Sequence, residues 1–241
     1  MVLARLMELR GQGTSELAVQ AGIPEGVLRA LLSGTPPQED QARSLAPALD
    51  MHEADLLAIA WLDLPEDLAP LDPRASWYLP HLAGHASRLQ PQHVGELRAL
   101  ADRMPQEEPP SATGSPAPSI QPERTPGGML LRLFSNRNMG RRAAYAIMAV
   151  TGRGLSPSTV WMAGHGRKEL SAKEFADYIS VLDITPADLS VVTGMDLPAP
   201  FPLRPPGTAE MARLIWDVRR LTSNQVKHVR DLAEERARMV N

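Results

Sequence analysis

Residues 49–65, LDMHEADLLAIAWLDLP, return in altered form as residues 182–198, LDITPADLSVVTGMDLP. Eight of the seventeen aligned positions are identical, and the members of each pair lie 133 residues apart. A second pair of segments, RLQPQHVGELRALA (88–101) and RLTSNQVKHVRDLA (220–233), matches at a separation of 132 residues. A repeat this long is not a solenoid unit and is typical of two copies of one domain of about 100 residues.

Helical spacing of apolar residues runs through both copies, and no segment shows the alternation of a β-strand. In copy one, Pro24 and the glycines Gly22 and Gly34 mark where helices begin and end. Five helices are predicted there. The second follows the cap-like Thr14 or Ser15 and ends at Gly22, and the others cover residues 2–10, 24–34, 38–49 and 53–61. We therefore expect an all-α fold in which each copy has five short helices followed by one or two C-terminal helices.

Prolines divide the chain into predicted parts. Residues 105–127 hold seven prolines and no periodic apolar pattern, which is typical of a flexible, partly extended linker. Shorter proline-rich joints at 65–73 and 198–206 separate the short helices of each copy from its C-terminal helices. The predicted parts are a first domain, its helical extension, the linker, a second domain and its extension, at residues 1–64, 65–104, 105–127, 128–197 and 198–241.

Composition points to the cytoplasm. Cysteine is absent, which excludes disulfides and thiolate metal sites and suits a reducing compartment. The first ten residues mix acid and base in an amphipathic run, unlike a secretory signal peptide. Apolar runs such as residues 56–62 are far shorter than the roughly 20 residues needed to span a bilayer. We expect a cytoplasmic protein with no membrane partner.

The sequence predicts neither an enzyme nor a metal or cofactor site. His81 and His85 have the spacing of two metal ligands on a helix, but the glutamate of the metalloprotease motif is absent and the only nearby third histidine is His93. No glycine-rich phosphate loop follows a strand, and no nucleophile elbow is present. No residue is therefore assigned a catalytic role.

Charge is distributed unevenly along the chain, although the formal net charge is only −3. Residues 1–70 carry four basic and eleven acidic side chains, a net charge of −7. Residues 128–180 carry eight basic and three acidic side chains, a net charge of +5. This asymmetry favours a polyanionic partner for the second copy, the alternative being a solvated charged face.

A helix-turn-helix pattern is present in both copies. In copy one it consists of Leu17, Gly22, Ile23, Leu28 and Gly34. Copy two has the same frame in the segment LSPSTV (155–160) and a later glycine at 166, with two extra residues in its turn, TGRGLS. The glycine after the second helix makes the tight turn, and the leucine or valine of the third helix faces the core.

Together with Ala46, Leu49 and the segment Asp55-Leu56-Leu57, this pattern resembles the Cro/phage-repressor (XRE-type) DNA-binding family. The longer turn of copy two and the WMAGHGRKE segment after it resemble actinobacterial regulators of that family. The resemblance covers about residues 2–62 and 129–195. It implies two tandem lambda-repressor-like helix-turn-helix domains of five helices each, joined by the proline-rich linker.

The resemblance implies a DNA site in copy two, because family members read bases with the first turns of the third helix. The predicted base-reading residues are Ser156, Pro157, Ser158, Trp161 and Met162. The predicted phosphate-binding residues are Arg141, Arg142, Arg153, His165, Arg167 and Lys168. Ser156 is expected to cap the helix. Because no Gln, Asn or Arg stands on that helix, no bidentate base contact is available and only modest specificity is expected.

Copy one lacks the corresponding chemistry. Its equivalent positions are Pro24, Glu25, Gly26 and Ala30, and no cation follows its Gly34. A carboxylate that faces phosphates is repelled over a Debye length of about 8 Å at physiological salt. Copy one is therefore predicted to keep the fold without binding DNA, as a scaffold, a module for a protein partner or a pseudo-subunit.

An apolar stripe runs along the last helix of copy two, and a matching stripe lies in copy one. Its residues are Val226, Val229, Leu232 and Ala233. Three interpretations remain open: packing on the stripe's own domain, a homodimer surface, or pairing of copy one with copy two inside the chain. The homodimer surface is the prediction adopted, since dimers match two half-sites on DNA.

The predicted function is that of a bacterial transcription regulator or nucleoid-associated protein that binds double-stranded DNA through copy two. The alternative from another class is a protein–protein adaptor in which neither copy binds DNA. A third hypothesis is a ligand-sensing regulator that holds a small molecule around Trp61, Trp77 and Tyr78.

Overall fold

The computed structural model describes residues 2–109, 122–152, 156–196 and 207–240, without the side chains of Arg141 and Val240. Every regular element in these ranges is a helix, which confirms the all-α prediction. None of these helices is both long enough and apolar enough to span a membrane. The middle of the predicted linker, residues 110–121, and the whole of the joint at 198–206 lie outside the described residues.

The chain forms two compact units that do not coincide with the two sequence copies. The first unit comprises residues 1–69 and 184–196, and the second comprises residues 70–183 and 197–241. The first unit contains six α-helices within the described residues: α1 (Val2–Arg10), α2 (Thr14–Ala21), α3 (Glu25–Leu32), α4 (Glu39–Ala48), α5 (Glu53–Ile59) and α12 (Pro186–Thr193).

The five predicted helices of copy one are confirmed to within about two residues. Gly22 ends α2 in the left-handed conformation with φ of 65°, which a glycine adopts without strain. Gln38 and Gln41 form a reciprocal cap at the start of α4. Leucines at the inward positions of α1, α2, α3, α4 and α5 are buried and form the core: Leu6, Leu17, Leu28, Leu45 and Leu57.

Helix α12 belongs to copy two by sequence but packs against α1 of copy one. Asp188 on α12 forms an ion pair of 2.7 Å with Arg10 on α1, and both side chains are largely buried. Leu189 and Val192 add apolar burial on the same helix. The expected domain at 128–197 therefore does not form one compact body, because its last helix completes the first unit.

The second unit contains the remaining α-helices and, within the described residues, three short 3₁₀ helices: Pro73–Trp77, Gly140–Arg142 and Val218–Arg220. Its α-helices are α6 (Leu79–Ala86), α7 (Pro91–Arg103), α8 (Pro126–Asn136), α9 (Ala143–Thr151), α10 (Pro157–Gly164), α11 (Ala172–Ile179), α13 (Thr208–Asp217) and α14 (Ser223–Val240). Helix α9 lies against α6, where a Cβ on Gly84 would come within 3.1 Å of Ala149.

Four of these helices form a bundle in which the two copies cross. Helix α6 of copy one packs on α14 of copy two, and α7 packs on α13. Residues that correspond in the repeat, 132 positions apart, are both buried. The pairs are Leu79 and Met211, Leu82 and Leu214, Ala83 and Ile215, and Ala86 and Val218. This exchange of equivalent contacts is the arrangement of a two-fold symmetric dimer, here built into one chain.

Polar contacts follow the same pseudo-symmetry. Arg98 on α7 bonds Asp217 at 2.7 Å and Glu210 at 2.9 Å on α13. Its equivalent in copy two, Arg230, lies 5.4 Å from the ring centre of Tyr78, the position equivalent to Glu210. The relation between the copies therefore extends beyond the segments that match in sequence.

The bundle corrects the predicted homodimer surface. Val226, Val229 and Ala233 have no exposed surface, and Leu232 is half-buried. These residues fill the contact between copy one and copy two, so a second chain cannot reach them without opening the bundle. Of the three interpretations, pairing of the copies inside the chain is the one that the structure adopts.

Candidate nucleic-acid interface

Helix α10 has one buried and one exposed face. Val160 and Ala163 are buried toward α8 and α9, as the helix-turn-helix pattern predicts. Gly164 allows a close approach to α8, because a Cβ there would lie 2.6 Å from the Leu131 side chain. Ser158 and Met162 lie on the opposite face and are exposed. The predicted reading face of copy two is therefore accessible in its own unit.

Hydroxyl groups surround the N-terminus of α10. Ser156 is the N-cap and accepts a hydrogen bond of 3.1 Å from the Thr159 N–H, as expected. The Ser156 hydroxyl also lies 2.6 Å from that of Ser158 and 3.0 Å from that of Thr159. Pro157 carries no N–H, so Ser158 is the position whose N–H points out of this helix end. Such an end is suited to an anion.

Trp161 and His165 stack on one another at the far end of α10, with ring centres 4.3 Å apart. The His165 Nδ1 lies 2.8 Å from the Trp161 carbonyl oxygen, and its Nε2 is buried. The phosphate contact predicted for His165 is therefore wrong in this conformation, because neither ring nitrogen is presented to solvent. Arg167 is exposed, with its guanidinium carbon 5.1 Å from the Trp161 ring centre.

Lys168 forms an ion pair with Glu174, which belongs to the cap of α11. Glu174 accepts from the Ser171 N–H at 2.9 Å, and its own N–H donates to the Ser171 hydroxyl at 3.2 Å. Lys168 is the main reason that the pKa of Glu174 is below its ordinary value. Lys168 could contact a phosphate only if its ion pair with Glu174 opened. The structure therefore gives less support to Lys168 as a phosphate-binding residue than its exposed neighbour Arg167 receives.

Arg142 lies just before α9. Its guanidinium carbon is 3.2 Å from the ring centre of Trp77, which ends the 3₁₀ helix Pro73–Trp77. A cation over an aromatic face is held in place while it keeps its charge. Arg141 and Arg153 are also predicted to contact phosphate. The side chain of Arg141 and the whole of Arg153 lie outside the described residues.

A depression of about 600 Å³ adjoins the start of α10 and was not predicted from the sequence. Its lining includes Tyr145, Arg142, Asn138, Ser76 and Pro157. The Asn138 side chain donates a 2.7 Å hydrogen bond to the Asp72 carbonyl, which fixes one wall. No sequence signal links residue 76 to residue 157. The fold brings them together, because the 3₁₀ helix Pro73–Trp77 packs beside the 3₁₀ helix Gly140–Arg142.

The surface charge of this region is smaller than the sequence suggests. Arg137 is completely buried, with a 3.0 Å bond to the Leu133 carbonyl, and Lys168 is paired. Arg167 and Lys173 are exposed without an ion pair in the described part of the chain. The cations that remain for a polyanion are fewer than the net +5 implies.

Helix α3 of copy one presents a different surface. Gly26 and Ala30 are exposed and carry no hydrogen-bonding side chain. Glu25 and Arg29 pair with each other across one turn, which cancels the one cation on this helix. Beyond it, Arg43 is held by Asp67 at 2.7 Å and by Glu39 at 3.0 Å. This face offers a phosphate no cation without an acidic partner.

No protein-family model matches this sequence, and no curated protein or solved structure is significantly similar to it. The resemblance to the XRE-type family therefore stays a prediction that rests on the residues quoted above.

Proposed function

We propose that this protein binds duplex DNA through the exposed face of α10 in copy two and that copy one does not bind DNA. The observation that carries the proposal is the N-terminus of α10. There, three hydroxyl groups surround a helix end, while Arg142 lies just before α9 and Arg167 lies in the loop that follows α10.

The groups on α10 favour contact with the DNA backbone over base recognition. Serine hydroxyls and a helix N-terminus bind phosphate oxygens, and arginine binds them with two parallel hydrogen bonds. Met162 can contact a thymine methyl group, but no side chain on this helix offers a bidentate base contact. We therefore expect modest sequence preference and strong dependence on salt.

A second candidate function is protein binding by the same region. Large apolar side chains are exposed around α9 and α10, namely Trp77, Tyr145, Met148 and Met162, with exposed fractions from 39% to 62%. Aromatic residues, methionine and arginine are enriched in protein interfaces. The adaptor hypothesis is therefore supported by a specific surface, and the experiment must distinguish it from DNA binding.

The test uses two matched variants of the full chain, Ser158→Glu and Gly26→Glu. The two positions lie 132 residues apart, both are exposed, and both lie in the first turn of their helix, where a glutamate favours folding. DNA binding is measured by fluorescence anisotropy on a duplex selected from a random pool by the wild-type chain.

Ser158→Glu should weaken binding by about tenfold or more, equivalent to about 1.4 kcal/mol, because its carboxylate faces phosphates. Gly26→Glu should bind like the wild type. Equal losses in both variants, or no loss in Ser158→Glu, would contradict the proposal. A wild-type chain that selects no duplex at all would favour the adaptor hypothesis.

A further inference from the structure

Copy one contains an apolar cavity of about 190 Å³ between α1, α3, α4 and α5. Its floor is made of buried aliphatic side chains, including Leu6, Leu31, Ala42 and Leu45. Its mouth lies beside Val2 and Leu3 of α1 and the exposed Thr35 that follows α3. Because the cavity lies within the first unit, it is separate from the candidate DNA surface.

Copy two places aromatic side chains at the equivalent positions. Residues 133 positions after Ala42 and Leu45 are Phe175 and Tyr178, in the same register as Leu49 and Leu182. Phe175 has no exposed surface, and Tyr178 is 1% exposed. Tyr178 also packs against Phe134, with ring centres 5.6 Å apart. Copy two therefore carries two buried rings at positions of its fourth helix where copy one has a small and an aliphatic side chain.

The lining of the cavity defines what it can hold. All eleven lining residues are apolar except Thr35, and none carries a charge. A charged molecule would lose its hydration there without a partner, which is costly. Close-packed interiors hold few voids larger than a water molecule, and dry apolar cavities of similar volume accept ring-sized hydrocarbons.

We propose that copy one binds a small, uncharged, apolar molecule of about the size of one aromatic ring in this cavity. The volume of the cavity and its uncharged lining indicate the size and the chemistry of the occupant. At two equivalent positions of its fourth helix, copy two carries rings of its own, Phe175 and Tyr178. The site is distinct from the surroundings of Trp61, Trp77 and Tyr78 considered from the sequence, because none of these residues lines it.

The experiment measures the melting temperature of the full chain by calorimetry in increasing toluene, with benzoate as the charged analogue. A ligand that binds only the folded state raises the melting temperature as its concentration exceeds its Kd. Toluene should give a saturable rise, and benzoate should give none. Absence of a saturable rise with toluene, or an equal rise with benzoate, would overturn the proposal.

Three variants locate the site. Ala42→Phe copies the aromatic residue of copy two into the cavity and should abolish the response to toluene. Ala60→Phe, at the half-buried edge of the lining, should reduce the response and serves if Ala42→Phe does not fold. Ala30→Phe adds a ring on the exposed face of α3 and should leave the response unchanged. A full response in both Ala42→Phe and Ala60→Phe would place toluene elsewhere and contradict the proposal.

Discussion

Helices α3 and α10 lie at equivalent positions of the sequence repeat, yet the chemistry of their exposed faces differs. On α3, Gly26 and Ala30 offer no polar side chain, and Glu25 neutralises Arg29. On α10, hydroxyl groups surround the helix start, and an exposed arginine follows its end. The inward positions, by contrast, stay apolar in both helices. These two helices thus share apolar inward positions and differ in their outward residues, which is the difference on which the proposed DNA binding rests.

In the bundle of α6, α7, α13 and α14, by contrast, the two copies have kept equivalent buried contacts. We expect Val229→Glu to lower the free energy of unfolding by about 3–5 kcal/mol, because it buries a carboxylate without a partner. Leu97→Glu, at the equivalent position of copy one, should cost a similar amount, since both residues have no exposed surface. Urea denaturation of the two variants tests whether the two copies contribute equally to the free energy of unfolding.

The control for this pair is His228→Glu, at an exposed position beside Val229. It should change stability by less than about 0.5 kcal/mol. A Val229→Glu chain with wild-type stability that loses only self-association would restore the homodimer surface and contradict the intramolecular bundle.

The two proline-rich joints differ at one residue that matters for the bundle. The joint of copy one reads PLDP at residues 70–73 and that of copy two reads PLRP at 202–205. The buried Asp72 accepts from the Arg74 N–H at 2.9 Å and from the Ser223 N–H, at the start of α14, at 2.8 Å. Asp72→Ala should cost about 1–3 kcal/mol, because two N–H groups lose a charged acceptor.

This contact also predicts a pH dependence. Burial raises the pKa of the Asp72 carboxyl, but the N–H groups of Ser223 and Arg74 outweigh burial and hold the pKa below its ordinary value. The stability from this carboxylate is therefore complete above about pH 4 and declines as the pH falls through the lowered pKa. Asp72→Ala should show a flatter stability curve below pH 4 than wild type. Parallel curves would contradict this role.

Arg167 and Lys168 are adjacent cations in different settings: Arg167 is exposed, whereas Lys168 forms an ion pair with Glu174. Arg167→Ala should weaken DNA binding and reduce the slope of log K against log salt by about 1, the value for one lost phosphate contact. Lys168→Ala should change the slope less, because Glu174 already neutralises Lys168. Anisotropy titrations at four salt concentrations measure both slopes. A larger change for Lys168→Ala would show that the ion pair opens on DNA.

The smallest expected effect is that of Ser158→Ala. Its hydroxyl is the exposed polar group on the reading face of α10, and serine contacts bases weakly. We expect a relaxed preference at one base position with little change in overall affinity. Repeating the random-pool selection with this variant measures the change. An unchanged base preference would restrict Ser158 to phosphate contact.

Much of the fold could be predicted because local signals agree with the packing. Gly22 and Gln38 mark helix ends in copy one, and Val160 and Ala163 follow the apolar period of a helix. What could not be predicted depends on contacts between distant segments. The Arg10–Asp188 pair, which joins α12 to copy one, has no signature in either local sequence.

The candidate site was predicted less completely than the fold, for a related reason. A sequence gives the type of each charged residue but not its partner. Thus His165 and Lys168 have the right chemistry for phosphate, yet one is turned inward and the other is paired. Trp77 and Arg142 were brought together only by the fold.

The most direct test is methyl NMR of the full chain labelled at its methionines, titrated with a duplex selected by the wild-type protein. Met162 is an exposed reporter on the reading face of α10, and Ala30→Met places a matching methyl group at the equivalent position of α3. We expect the Met162 signal to shift in a saturable way, while the methyl signal introduced by Ala30→Met stays where it is. A stationary Met162 signal on DNA that is demonstrably bound, or a shift at the α3 position instead, would contradict this expectation.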